Sequence, residues 1–356
     1  MEKKYVIIGA GNGGQSLAGD MILRGLKLSA IYDINPVPIK DIKKIGGVKM
    51  SGPIVEGFAP VAFATDSLGE AMSAGNVFLV TIVSNFHPAL AKQMAPFIKP
   101  EHTILLIPGN SGSSILFRRA LEAAGVKEIP LIGESGSMPY ATRLIGPAHA
   151  GIKARKAVLP IAALPAKRNE ELFNIIKPVI PEIIQERDSL SVGMNNVNPK
   201  GHVPSYLFNL GKVEAPTEND KDFHAWGTKS TIKIEELYDK ERMSVMNVLG
   251  LHPVSGDETS KMFYKGVHYV PLPQEKGISA NAAQVPDRFI DEDVPLNMTL
   301  VSDIGKKFNV PTPVTDLLID VANIIRERDF RKDGTKLLNL GFEGKSVKEI
   351  QRYIMG

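Results

Sequence analysis

The chain has no cysteine among its 356 residues. That absence excludes disulfides, zinc–thiolate centres, iron–sulfur clusters and a thiol nucleophile. No uncharged apolar run of about 18 residues is present, so no membrane span is expected. Charge of one sign is scarce as well. Against 42 Lys and Arg stand 39 Asp and Glu, a net charge of +3. So mild a balance, without a dense basic run, argues against a nucleic-acid partner. The small basic cluster from Lys153 to Lys156 reads as a solvated turn. Internal repeats and low-complexity tracts are lacking. The first residues run straight into an apolar strand, which leaves no room for a signal peptide, and a cytoplasmic protein is expected.

What is present is organised around residues 5–33. Tyr5-Val6-Ile7-Ile8 has the pattern of a short buried strand. Gly9, Gly11 and Gly14 then satisfy G-x-G-x-x-G, with Asn12 and Gly13 between them. Leu17, Met21, Leu23 and Leu26 fall near helical spacing, Leu28 to Tyr32 make a second strand, and Asp33 closes it. Each part has a physical role. Gly9 permits the tight turn, Gly11 lets backbone approach a pyrophosphate, and Gly14 lets the helix pack close to the sheet. The helix N-terminus offers N–H groups and partial positive charge to phosphates. Asp33, 19 residues after Gly14, stands where a carboxylate accepts bonds from both ribose hydroxyls. Ile34 and Asn35 follow it, so no cation waits for a 2′-phosphate and NAD is favoured over NADP. Flavin, whose adenylate half uses the same fold, stays open at this point.

The length and a 43% hydrophobic content fit two domains with sizeable cores. Strands and helices alternate to about residue 165. Val77 to Val83 is the most continuous apolar strand, and Pro108 to Ser113 forms a second small-residue loop at the same sheet edge. That loop is either a cofactor contact or a plain turn. Val48 to Met50 and Ile54 to Glu56 look like a small hairpin. From about Ser191 strand-like runs give way to helical patterns, notably over 231–249, 296–309, 314–328 and 346–354. The expected architecture is an α/β Rossmann-type domain with a parallel twisted sheet (1–188), followed by a mostly α-helical substrate domain (189–356).

Catalytic groups should lie where the domains meet. Asn198-Pro199-Lys200-Gly201-His202 opens the second domain, and its turn residues put His202 on a loop or a helix start that can face a cleft. Asp287 to Asp293 packs five ionisable groups into seven residues ahead of Pro295. Asp291-Glu292-Asp293 taken alone is a solvated turn or a metal guess. No second His/carboxylate cluster at ligand spacing accompanies it, so no metal is expected. His87 rivals His202 from the cofactor edge, whereas His149, His224, His252 and His268 have no partner pattern. Arg143 reads as a surface residue, and Trp226, the only Trp, as pocket lining or core.

Here the sequence resembles a known family, the octopine/nopaline (opine) dehydrogenases. The resemblance covers nearly the whole chain. It is carried by the 9–14 glycine motif, by Met138-Pro139-Tyr140-Ala141-Thr142-Arg143, by Asn198-Pro199 with His202, by Arg288 through Pro295, and by Val310-Pro311-Thr312-Pro313. It implies a two-domain NAD(P)-dependent enzyme that condenses a 2-oxo acid, usually pyruvate, with an amino acid. Reduction of the resulting imine gives an N-(1-carboxyalkyl) amino acid. By resemblance His202 is the proton-exchanging group, Asp293 its orienting partner, and Arg288, five residues before that Asp, the substrate-carboxylate clamp. Glu134 matches an acid that meets the amino acid's ammonium. The chemistry agrees, since imine formation expels water and needs an acid, and a bidentate Arg suits a carboxylate.

Two other functions are weighed. A 2-hydroxyacid or ketopantoate-type dehydrogenase would need no amine, and a regulatory protein would bind NAD without turnover. The amino acid is not written in any motif. Nor is the oligomeric state, for which a homodimer is the candidate.

Overall fold

In the computed structural model, residues 2–215, 217, 220, 223–267 and 287–356 are described. His268 lies outside them. The strands are β1 (Tyr5–Ile8), β2 (Leu28–Tyr32), β3 (Gly47–Ser51), β4 (Gly57–Pro60), β5 (Ala64–Thr65) and β6 (Val77–Val80). They continue as β7 (Thr103–Leu106), β8 (Leu131–Ser135), β9 (Tyr140–Gly146), β10 (His149–Arg155), β11 (Leu159–Leu164) and β12 (Ile183–Gln185).

Eight strands form the main sheet in the order β12-β11-β8-β7-β6-β1-β2-β5. Its pairs are parallel except β11 against β8. The chain order reverses between β1 and its neighbours β2 and β6, which opens a crevice at the carboxyl edge of β1. β1, β6 and β7 are buried on both faces, so they read as unbroken apolar runs rather than as alternation.

The expected hairpin is real but its second strand begins three residues later, at Gly57, and it belongs to a second sheet. That sheet runs β4-β3-β10-β9 and pairs β3 with β10 in parallel. Residues 150–153, within β10, lie not in the main sheet but in this second one. Its presence explains an oddity of the first helix, Asn12–Leu23, in which Gly14 to Met21 are all buried. One face meets the main sheet and the other the second sheet. Small residues make the helix slim enough: a Cβ on Gly19 would stand 2.1 Å from Met50 Sδ. Asp20 is buried in this layer and is held by Arg24, Arg155 and the Tyr140 hydroxyl, the last at 2.7 Å.

After β12 all described elements are helical. Asp188 accepts from Ser191 N at 2.8 Å and so caps the helix Ser189–Met194. The seam with the sheet domain is partly apolar, since Ile115 and Leu164 pack with Leu190, Met194 and Val245. Among the described residues no helix is long and apolar enough to cross a membrane.

Candidate functional site

The first half of the site is the glycine turn. Gly9 has φ +108°, a value that L side chains rarely adopt, and its N–H donates to Tyr32 O at 2.7 Å. A Cβ on Gly14 would lie 1.8 Å from Gly9 O, so only glycine lets the helix sit this close to the strand. A Cβ on Gly11 would meet nothing within 4 Å, because that position faces open space where a ligand can come in. The first helical N–H to bond back is Gln15 N, to Gly11 O at 3.0 Å, which leaves the N–H groups of Asn12, Gly13 and Gly14 for an anion. The Asn12 side chain is otherwise engaged: its Oδ1 accepts from Leu144 N at 2.8 Å.

Asp33 ends β2 with Oδ2 accepting from Ala10 N at 2.7 Å and Oδ1 from Asn35 N at 2.8 Å. It lines a groove of about 410 Å³ together with Ala10, Gly11, Gln15, Asn35 and Asp41. The second sheet closes the far side through Leu144 and the Gly146–Ala148 turn. The size is that of a small-molecule site. A cradle that a Cβ would fill, orphan N–H groups and a carboxylate on the floor fit the adenosine-diphosphate half of a dinucleotide.

The second half lies on the helical domain. His202 is the fifth residue of the helix Asn198–Leu207, within the helix rather than on a loop. Neighbours fix that helix on several sides. Lys200 pairs with Asp257, Ser205 Oγ donates to Glu235 Oε1 at 3.1 Å, and Tyr206 OH donates to Asp287 Oδ1 at 3.2 Å. His202 Nδ1 lies 2.7 Å from Asp293 Oδ2 across 91 residues. A carboxylate only accepts, so Nδ1 carries the hydrogen, and Nε2 makes no hydrogen bond among the described residues. The imidazole is stacked on Phe289, with centroids 3.7 Å apart and planes at 15°. Stacking sets the ring plane while Asp293 sets its rotation.

Asp293 precedes a π-helical stretch, Val294–Met298, inserted before the helix Thr299–Phe308. Such wider turns recur at functional sites. Pro295 stands at the start of that stretch. The three acids that read as a solvated turn go three different ways. Asp291 pairs with Arg326, Asp293 takes His202, and buried Glu292 reaches the sheet domain. Among the described residues no group of acids and histidines could hold a metal. Arg288 is about half exposed, its Nη1 3.6 Å from Glu292 Oε2 and its guanidinium over the Phe289 ring.

Other candidates fall elsewhere. Glu134 on β8 is fully buried and sealed between Gly109, Ser114 and Gly193, with Oε2 accepting from Ser114 N at 2.8 Å. Burial, with the Asp188 charge adding to it, holds its carboxyl well above the usual range. It makes no contact with the His202 pair and is not open to an arriving ammonium. The Pro108–Ser113 loop is neither a plain turn nor a free cofactor contact. Its Asn110 and Ser111 are buried against Asn196, Glu292 and Asn297 of the helical domain. His87 is fully buried and burial lowers its imidazole to about 4, so it stays neutral in the core. Trp226 is buried beside Phe223 and Phe289, and Arg143 is exposed on β9. The basic cluster is not solvated: Lys153 and Lys156 are 8% and 7% exposed.

A dinucleotide cradle at a sheet's switch point, joined to a helical domain that carries a His–Asp pair, defines a two-domain oxidoreductase of the dehydrogenase class. Residues 185–326 match the family model for the α-helical domain of NAD/NADP octopine/nopaline dehydrogenases. An opine dehydrogenase from Arthrobacter sp. (strain 1C) is 30% identical over 356 residues, 98% of each chain. A vitopine synthase from Allorhizobium ampelinum is 24% identical and covers 98% of each chain. Among solved structures, octopine dehydrogenase with NADH and L-arginine superposes with a TM-score of 0.73 at 15% identity over 98% of each chain. The chain belongs to the opine dehydrogenase family, whose members are oxidoreductases acting on CH–NH donors.

Proposed function

We propose that this enzyme condenses a 2-oxo acid, pyruvate by preference, with an amino acid and reduces the product imine to an N-(1-carboxyalkyl) amino acid. Residues 1–188 hold the cofactor and residues 189–356 the substrates. The observation that carries the reading is the 2.7 Å bond between His202 Nδ1 and Asp293 Oδ2, with Arg288 five residues before that acid in the chain.

Addition of the amine to the carbonyl gives a carbinolamine. His202 Nε2 donates a proton to its oxygen, which leaves as water, and the C=N bond forms. Asp293 holds Nδ1–H and offsets the positive charge of the protonated ring. Arg288 clamps the 2-oxo acid carboxylate through two parallel N–H bonds. A nicotinamide cofactor, when bound, would supply the hydride for the imine carbon. The N–H groups of residues 12–14 hold the cofactor's pyrophosphate and Asp33 its adenine ribose. NADH is preferred over NADPH because Asp33 and Asp41 line the groove, and the groove's lining includes no Lys or Arg among the described residues. Solved octopine dehydrogenase structures holding NADH with L-arginine, and pyruvate, support this choice of substrate classes.

The test is NADH consumption with pyruvate against each amino acid in turn, with mass spectrometry of the product. A secondary amine whose mass is the sum of the two substrates less one oxygen supports the reading. Turnover of a 2-oxo acid without any amine would replace it with a simple 2-oxo acid reductase.

A further inference from the structure

We infer that Glu292 is a positioning residue that fixes Arg288 against the cofactor edge of the sheet, an inference that rests on the substrate role given to Arg288 above. Glu292 is 7% exposed, yet it comes from the helical domain and ends on the other one. Its Oε1 accepts from Ser84 N at 3.2 Å and from Asn110 Nδ2 at 3.2 Å. Ser84 follows β6 and Asn110 follows β7, two adjacent strands at the centre of the sheet, so both donors stand at the carboxyl edge. Its Oε2 lies 3.6 Å from Arg288 Nη1, four residues back on the same helix. One carboxylate therefore spans the seam with one oxygen and faces the substrate arginine with the other.

The surroundings make that bridge stiff. Asn110 Oδ1 accepts from Asn196 Nδ2 at 2.5 Å and from Asn297 Nδ2 at 3.2 Å. Ser111 Oγ donates to Asn297 Oδ1 at 2.7 Å, and Asn85 Nδ2 donates to Asp291 O at 3.1 Å. Burial and the neighbouring Asp293 charge push the Glu292 carboxyl upward, so its ionised form depends on the Arg288 charge and the seam donors. Seam docking alone could be met by a neutral amide. A carboxylate adds a hold on one edge of a half-exposed guanidinium, whose planar fork keeps a second edge for an incoming carboxylate.

The experiment compares wild type, Arg288→Gln, Glu292→Gln and Glu292→Ala. It reads the Kd of pyruvate for the NADH complex by NADH fluorescence, which needs neither amine nor turnover, together with KM, kcat and Tm. In Glu292→Gln the amide oxygen still accepts from Ser84 and Asn110, while the hold on Arg288 is lost. The expected result is a pyruvate Kd and KM raised about tenfold, as in Arg288→Gln, with kcat within about threefold and Tm unchanged. Glu292→Ala should lower kcat and Tm as well. If Arg288→Gln weakens pyruvate and Glu292→Gln does not, the inference is overturned and the role of Arg288 stands. Equal losses of kcat and Tm in the Gln and Ala variants, with Kd unchanged, would reduce Glu292 to a seam group. Pyruvate binding that ignores Arg288→Gln overturns both.

Discussion

Replacing Asp293 by Asn keeps the side-chain volume and removes one charge, which makes it the sharpest probe of the His202 pair. The side chains of His202 and Asp293 are 12% and 5% exposed, so solvent screens them little. With charge centres ~4 Å apart and an effective dielectric near 20, the gross attraction in the protonated state is about 4 kcal/mol. Against the amide that replaces it, the net loss should match a hydrogen bond to a charged group, about 1.5–3 kcal/mol. That corresponds to roughly a ten- to hundredfold fall in kcat. His202→Ala should lose ~10²–10⁴. With the proposed role of Asp293 exerted through the imidazole, the double variant should be no slower than His202→Ala alone. The assay is steady-state NADH oxidation at saturating substrates, with NADH Kd and Tm as controls expected to stay put. Two results refute the reasoning: kcat for Asp293→Asn within about twofold of wild type, or losses that simply multiply in the double variant.

Further outcomes follow from the same structure. Asp33→Ala removes the acceptor of two backbone N–H groups and, on the proposed role, of the ribose; it should weaken NADH by roughly ten- to a hundredfold and narrow the proposed preference over NADPH; titration of both cofactors checks it. Gly14→Ala would drive a Cβ to 1.8 Å from Gly9 O, so loss of more than about 3 kcal/mol of stability is expected, and a Tm within about 2 °C of wild type contradicts the close-approach argument. Burial lowers the Lys156 ammonium to about 7. Between pH 7 and 10.5 the unfolded chain keeps a proton that the folded one releases, so this group makes stability rise with pH there. Lys156→Met should therefore gain most over wild type near pH 7 and least near pH 10, by of order a few kcal/mol in urea unfolding. His87 works in the acid range. Its neutral, buried ring costs stability as pH falls from 6.5 to about 4, and His87→Phe should flatten that part of the stability profile.

Residues 5–33 were legible because everything they need is local. An apolar strand, a glycine turn, a helix and a second strand specify one another within a few turns of chain, and Gly9, Gly14 and Asp33 stand in the geometry their spacing implies. The pairing of His202 with Asp293 was legible only by resemblance, since no periodicity joins positions 91 apart. The burial of Glu134 escaped the sequence for a related cause: its acid type was visible, but the packing of Gly109 and Gly193 that encloses it was not. Lys156 failed in the opposite direction, as a cation among basic neighbours that the fold lays over the Phe263 ring.

By itself the amino-acid sequence determined the dinucleotide cradle, the helical character of the second half and the exclusion of thiol and thiolate-metal chemistry. These depend on residue type and on short-range spacing. Tertiary structure alone decided that β3 pairs with β10, that the first helix lies between two sheets, and that three consecutive acids serve three different partners. Each of those outcomes is a contact between segments far apart in the chain, and the energy that selects it, burial and pairing of groups from both sides, exists only once the two sides have met.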